Sequence, residues 1–307
     1  MKLLVLNNIS AGPGDGAIYD FVRMFSKAGD EVLIRSADEQ SDFPALLADA
    51  SRFDVVVASG GDGTIAHVCY ELRYTNIPIL VYPSGTANLI AQNILHPFEA
   101  PSLAALAREC RTMRFDLGEF DFGEDRVGFM MMAGCGFDAT MMSAAKPMKD
   151  RLGPVAYFRA AFDNASPQVA DISLDVDGQH VETKGVGVVC MNFSKVQFDV
   201  SFGLANLPSD GLIDACILAT QNAWNLLPTA LGAALDRSGK TLGQSDILKY
   251  YRGREIRVET NPPLPVEYDG DAIERTTPFT VRALPGAARL IVSQECIDEF
   301  GEAGEQH

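Results

Sequence analysis

Asp62 is the single acidic side chain in the run Ser59-Gly60-Gly61-Asp62-Gly63-Thr64. The three glycines let the backbone approach a ligand with no Cβ in the way. A helix that follows such a turn adds unpaired N–H groups and a positive dipole end, which together favour phosphate. A carboxylate among phosphates is repelled unless a metal ion lies between them or it accepts a proton from the attacking group. The alternative is a tight turn in which Asp62 only caps a helix. Two more stretches have a similar character: Asn8-Ile9-Ser10-Ala11-Gly12, and Pro83-Ser84-Gly85-Thr86-Ala87-Asn88.

Each of these stretches needs a strand before it and a helix after it. Val55 to Ala58 is an apolar run that stops at the glycines, and IAHVCYELRY then carries apolar residues at helical spacing. Lys2 to Asn7 reads as a first strand, followed by a helix with Ile18, Phe21, Val22 and Phe25 on one side, a second strand at 31 to 36 and a short helix at 42 to 50. The stretch from 77 to 95 repeats strand, turn and helix. Such turns end on one edge of a parallel sheet, where α/β folds bind ligands, so the loops at 8 to 14, 59 to 64 and 83 to 88 should share a pocket.

After a helix at 101 to 111 strands dominate, at 126 to 134, 169 to 177, 185 to 193, 212 to 219 and 255 to 260, with Asp177-Gly178 as a hairpin signal. Residues 118 to about 293 read as a β-rich second domain with helical insertions near 152 to 163 and 220 to 236; Trp224, Leu227 and Leu231 on one face of the latter are core packing.

Composition narrows the partners. The 307 residues carry 25 basic and 41 acidic side chains, a net charge of −16, and no basic block interleaved with aromatics, so nucleic acid is excluded as a partner. Acidity also opposes an anionic membrane. Lys146, Lys149, Arg151 and Arg159 lie near Met141, Met142 and Met148, where a solvated surface over core methionines is preferred to a lipid-contacting patch, although transient membrane-surface contact stays open. Six cysteines without CxxC spacing and four scattered histidines give no structural zinc pattern and fit a reduced compartment. MKLLVLNN is too short for a signal peptide and no run reaches bilayer length, so the expectation is a cytoplasmic chain, at most peripheral to the inner face of the membrane. The oligomeric state is open, a homodimer included.

Gly12, Gly14 and Ala17 also satisfy GxGxxA, and Arg35-Ser36 could hold an NADP 2′-phosphate. In a dinucleotide fold the first glycine follows the strand almost directly. Here Asn8, Ile9, Ser10 and Ala11 intervene, and Gly60 to Thr64 would have no role.

The three loops, together with Gly136-Phe137-Asp138-Ala139, Leu152-Gly153-Pro154 with Tyr157, Asp210-Gly211-Leu212-Ile213-Asp214 and Asp269-Gly270-Asp271, resemble in order the bacterial lipid kinase family related to diacylglycerol and sphingosine kinases. The resemblance implies an α/β N-terminal domain with a parallel sheet (NAD kinase/diacylglycerol kinase-like), residues 1–117 with 294–307 returning to it. It also implies a C-terminal all-β sandwich domain at 118–293 for the lipid substrate, which would lie in the cleft between them. ATP is then expected at Asn8, Ile9, Ser10, Ala11, Gly12, Ser36, Gly60, Gly61, Asp62, Gly63, Thr64, Ile65, Ala66, His67, Thr86 and Asn88. Mg²⁺ is expected between the phosphates and carboxylates, and again in the sandwich at Asp210 with carbonyls near Leu207 and Leu212.

The implied activity is ATP- and Mg²⁺-dependent phosphorylation of a hydroxyl on a lipid or lipid-like alcohol, with Asp271 as the proton acceptor and Asp62 second. Asp269 is expected to cap its own turn. Three positions depart from the family pattern: Ile9 for proline, Leu89 where many diacylglycerol kinases have Asp, and Asp271 where the family has Glu. The alternatives are an NAD kinase-like nucleotide kinase, which shares the Gly60 to Thr64 signature, and a non-catalytic nucleotide- or lipid-binding regulator.

Overall fold

Leu3 to Leu6 and Val55 to Ala58 are wholly buried, as strands covered on both faces of a parallel sheet must be. The computed structural model describes residues 1–12, 16–38, 40–136, 168–193, 207–221, 247–269 and 271–301. In chain order these form β1 (Lys2–Asn8), α1 (Ala17–Phe25), β2 (Glu31–Ala37), α2 (Phe43–Leu47), a 3-10 turn at Ala50–Arg52, β3 (Val55–Gly60), α3 (Asp62–Glu71), β4 (Ile79–Pro83), α4 (Leu89–Asn93) and α5 (Ala100–Glu109). The strands β5 (Thr112–Asp121), β6 (Arg126–Phe129), β7 (Met132–Gly136), β8 (Ala170–Val176), β9 (Gln179–Gly185), β10 (Gly187–Met191) and β11 (Ile213–Leu218) follow. The chain continues through β12 (Leu248–Gly253), β13 (Glu255–Asn261), β14 (Pro265–Tyr268), β15 (Asp271–Thr276) and β16 (Phe279–Ile291) to α6 (Gln294–Phe300).

Contacts divide the chain into two units. The first comprises Met1–Leu117, Leu207–Asp210 and the chain from Leu284 onward; the second comprises the described residues of Gly118–Asn206 and Gly211–Ala283. The family resemblance implies a return at residue 294 instead.

The first unit is built on the parallel order β2-β1-β3-β4, with Val5 beside both Ile34 and Val57 and the end of β16 beside β4 at Leu290 and Ile79. Phe21 and Phe25 of α1 pack with Leu103, Leu106 and Ala107 of α5 over Leu3, Val5, Val55 and Val57. Asp42 caps α2 by accepting from Ala45 N at 3.0 Å, and Ser293 caps α6 by accepting from Cys296 N at 3.2 Å.

The second unit is a sandwich. Its six-stranded sheet runs β12-β11-β10-β7-β14-β15, and the antiparallel strands β16, β13, β8 and β9 form the facing layer. Leu174, Val176, Ile256, Val258 and Val281 of that layer meet Cys135, Val188, Cys190, Ile213, Ala215 and Val266 of the six-stranded sheet in one core. Asp177 and Gly178 turn the β8–β9 hairpin with φ of 49° and 85°, the positive pair that a two-residue turn needs.

Three expectations need correction. The strand read at 126 to 134 is two strands, because the Asp269 carboxylate takes the N–H groups of Met130, Met131 and Met132 out of the ladder. For the same reason Asp269 ties down a remote segment and does not merely cap its own turn. Leu207–Asp210, expected in the sandwich, groups with the first unit, where Asp116 N donates to Pro208 O at 2.8 Å. The insertions near 152 to 163 and 220 to 236, Phe137 to Ala139, Tyr157, and the Lys146 to Arg159 patch lie outside the described residues, apart from Thr220 and Gln221.

Candidate functional site

In the first unit the ends of β1, β3 and β4 bring their loops into direct contact. Asn8 Nδ2 donates to Thr64 Oγ1 at 2.8 Å, while Asn8 Oδ1 accepts from Ser10 N at 2.9 Å and so shapes its own loop. Ser59 Oγ donates to Asn7 Oδ1 at 2.8 Å and lies 3.5 Å from Ser84 Oγ, and Ser84 N donates to Gly60 O at 3.1 Å. Asn88 folds back on Gly85, accepting from its N–H at 2.8 Å and donating to its carbonyl at 2.9 Å.

Glycine is required where these loops touch. A Cβ on Gly12, whose φ is 66°, would lie 1.9 Å from Ser84 O, and one on Gly85 would lie 2.5 Å from the Cα of Gly61. The loops at 8 to 12, 59 to 64 and 83 to 88 therefore form one cluster, as the sequence indicates.

Asp62 opens α3, yet its Oδ1 accepts from Ile90 N at 2.8 Å. Asn88, at the head of α4, makes no side-chain cap bond because its amide is committed to Gly85. Asp62 therefore caps the helix of the neighbouring loop and holds the second and third loops together.

The three loops contain this one carboxylate and no Lys or Arg. Anions brought there would meet backbone N–H groups of the loops but no cationic side chain from the loops themselves. That donor set fits Mg²⁺, which usually takes one or two carboxylates and keeps phosphate and water oxygens as its other ligands.

The other residues assigned to ATP divide by exposure. Ile9, Ser10, Gly12, Gly63 and Thr86 are exposed, as is Ser36, the penultimate residue of β2, beside Asn7. Ile65 and Ala66 face the core. His67 stacks on Phe43 with ring centroids 4.2 Å apart and an interplanar angle of 7°; desolvation there lowers the imidazole pKa, against a pull upward from Glu71 at 3.8 Å.

Arg35 is committed elsewhere, to the Asp49 carboxylate at 2.6 and 3.0 Å and to Leu46 O, which removes the cation that a dinucleotide 2′-phosphate would require. Asn7, Ser59 and Ser84 belong to the cluster although their sequence context does not single them out as site residues. The signal available was a polar residue at the C-terminal end of each apolar strand, which a buried strand tolerates only with a partner.

In the second unit Asp271 opens β15 opposite Tyr268; its side chain lies outside the described residues. Asp214 is paired with Arg252 at 2.5 and 3.0 Å. Leu207 and Asp210 are partly buried in the first unit, as Leu212 is in the second. Among the described residues no group of three or more His, Cys, Asp or Glu side chains could hold a metal. A site at Asp210 would thus need carbonyl and water oxygens. No helix among the described residues is long and apolar enough to cross a membrane.

Comparison with known proteins matches residues 2–120 to the diacylglycerol kinase catalytic domain and residues 131–292 to the YegS C-terminal NAD kinase beta sandwich-like domain. A Mycobacterium tuberculosis protein named diacylglycerol kinase is 26% identical over 318 residues, covering 94% of each chain. A Synechocystis sp. protein is 27% identical over 271 residues, 85% of this chain, which spans 58% of that longer relative.

Among solved structures, one titled as a diacylglycerol kinase from Bacillus anthracis superposes with a TM-score of 0.71 at 18% identity, over 96% of this chain and 98% of that one. An NAD kinase from Archaeoglobus fulgidus in complex with ATP superposes with a TM-score of 0.59 at 15% identity, over 99% and 98%. These likenesses carry the fold, an α/β domain with a parallel sheet and an antiparallel β-sandwich. With both domain models matched in order across most of its length, the chain belongs to the bacterial lipid kinase family of the diacylglycerol kinase and YegS type.

Proposed function

We propose that the protein transfers the γ-phosphoryl group of ATP to a hydroxyl on a lipid or lipid-like alcohol. The observation that carries this reading is the cluster of three glycine-bearing loops with one carboxylate and no cationic side chain. Phosphoryl transfer asks the protein chiefly for positioning and charge neutralisation. Backbone N–H groups of the loops would hold the phosphates, Asn8 and Thr64 would fix the loop that carries them, and Asp62 would orient a Mg²⁺. When bound, Mg²⁺ supplies the positive charge that the loops lack.

Asp271 is our candidate for the group that takes the acceptor's proton. Asp210, with carbonyls at Leu207 and Leu212, is the proposed place for a second, structural Mg²⁺. Incubation with labelled ATP, Mg²⁺ and a panel of lipid alcohols tests the function: label in a lipid product is expected. The likeness to an NAD kinase puts NAD in the same panel; label in NAD alone would replace the lipid acceptor, and ATP binding without transfer to any acceptor would make the protein a regulator.

A further inference from the structure

The link between β6 and β7 is bonded through every backbone polar group of three successive residues. The carboxylate of Asp269 accepts from Met130 N at 3.0 Å (Oδ2) and from Met131 N and Met132 N at 2.9 and 3.2 Å (Oδ1). Asp269 N donates back to Met132 O at 2.8 Å. On the carbonyl side, Asn192 Nδ2 reaches Met130 O at 3.0 Å, and Asn192 N and Phe193 N reach Met131 O at 2.9 and 3.2 Å. Met130, Met131 and Asn192 are buried, so each bond lost there would leave a polar group without water.

Asp269 makes these bonds at a φ of 45°, in the left-handed region that Asp tolerates better than most side chains. It sits two residues before Asp271, on the turn between β14 and β15.

We propose that Asp269 is a positioning residue for the phosphoryl transfer, fixing the turn that presents Asp271 by clamping it to the Met130–Met132 link. This rests on Asp271 being the proton acceptor. A carboxylate suits that role because it has two oxygens, accepts only, and can serve three N–H donors at once. An amide at the same place would turn a donor toward N–H groups.

Three measurements test the proposal. In the parent protein, the amides of Met130 to Met132 should exchange hydrogen as slowly as those of β10, and fast exchange there would overturn the clamp without any variant. Asp269→Asn should lower kcat about 10- to 100-fold, as a displacement of about an ångström does, while the KM for ATP stays at the parent value. In the double variant Asp269→Asn/Asp271→Asn the rate should equal that of Asp271→Asn alone, because a residue that acts through Asp271 has nothing left to position.

Losses that multiply would make Asp269 an ordinary stability residue and overturn the proposal while leaving Asp271 as the base. A parent-like rate in Asp271→Asn would be a different failure: the base assignment falls, and the positioning role with it. Should Asp269→Asn not fold, Asp269→Ser keeps a short acceptor and is read in the same cycle.

Discussion

At the scale of single residues, substitution can separate the capping bond of Asp62 to Ile90 N from the Mg²⁺ role proposed for its charge. Asp62→Asn keeps an oxygen for Ile90 N and removes the charge, so the fold and melting temperature should survive while Mg²⁺-dependent turnover is lost. Asp62→Ala removes the cap as well and should cost about 1 kcal/mol more in stability. Thermal melts followed by circular dichroism, beside turnover assays, check both; equal stability in the two variants would contradict the capping bond.

His96 gives a second residue-level prediction. Burial pushes its pKa down to about 4, against a smaller upward pull from the Val81 backbone. Unfolded, the imidazole binds its proton near pH 6.5. Between pH 6.5 and about 4 the unfolded chain therefore holds more protons, so stability falls as pH is lowered through that window, by up to about 3 kcal/mol from this group. His96→Gln should flatten the curve of stability against pH between 4 and 6.5, measured by denaturant unfolding, and leave the curve above pH 7 parallel to the parent.

At the scale of elements, the site depends on how closely three loops approach. Gly85→Ala puts a Cβ against the backbone of Gly61, and Gly12→Ala combines a contact with Ser84 O and a left-handed φ worth about 1–2 kcal/mol. Each should weaken ATP binding at least about tenfold, the equivalent of 1.4 kcal/mol, in a calorimetric titration. Gly29→Ala, where nothing lies within 4 Å of the added Cβ but φ is 89°, should cost stability alone.

The loops were legible in the sequence because strand, glycine turn and helix each have a local signature, and the wholly buried stretches Leu3 to Leu6 of β1 and Val55 to Ala58 of β3 read as unbroken apolar runs. What was not legible depends on partners distant in the chain. Nothing near Asp62 announces that Asn88 commits its amide to Gly85 and leaves α4 to be capped from another loop. The run from Arg126 to Gly134 reads as one strand because the group that interrupts it, Asp269, is encoded 137 to 139 residues away. β12 carries no strand signature because LKYYRG has neither an apolar run nor an alternating pattern: Lys249, Tyr250, Tyr251 and Arg252 between its buried ends are all only half buried.

At the scale of the whole molecule, nucleotide binding should register in one unit. With ATP and Mg²⁺ present, slowed hydrogen exchange is expected at 8–12, 59–64 and 84–90, and none at β8, β9 and β13; protection centred on the sandwich strands would move the nucleotide site. The first unit is also assembled from chain segments that are made far apart in time. Until β16 has been translated, the side of β4 that takes Leu290 has no strand beside it and can pair with another chain. A chain interrupted anywhere between Leu117 and Leu284 thus has a finished-looking sequence for the first unit and an unfinished sheet. Such fragments should collect in inclusion bodies, and a supplied 279–301 segment should rescue them into solution. Ribosome stalling in the middle of the chain would in this way disable the proposed nucleotide site without touching any residue of its three loops.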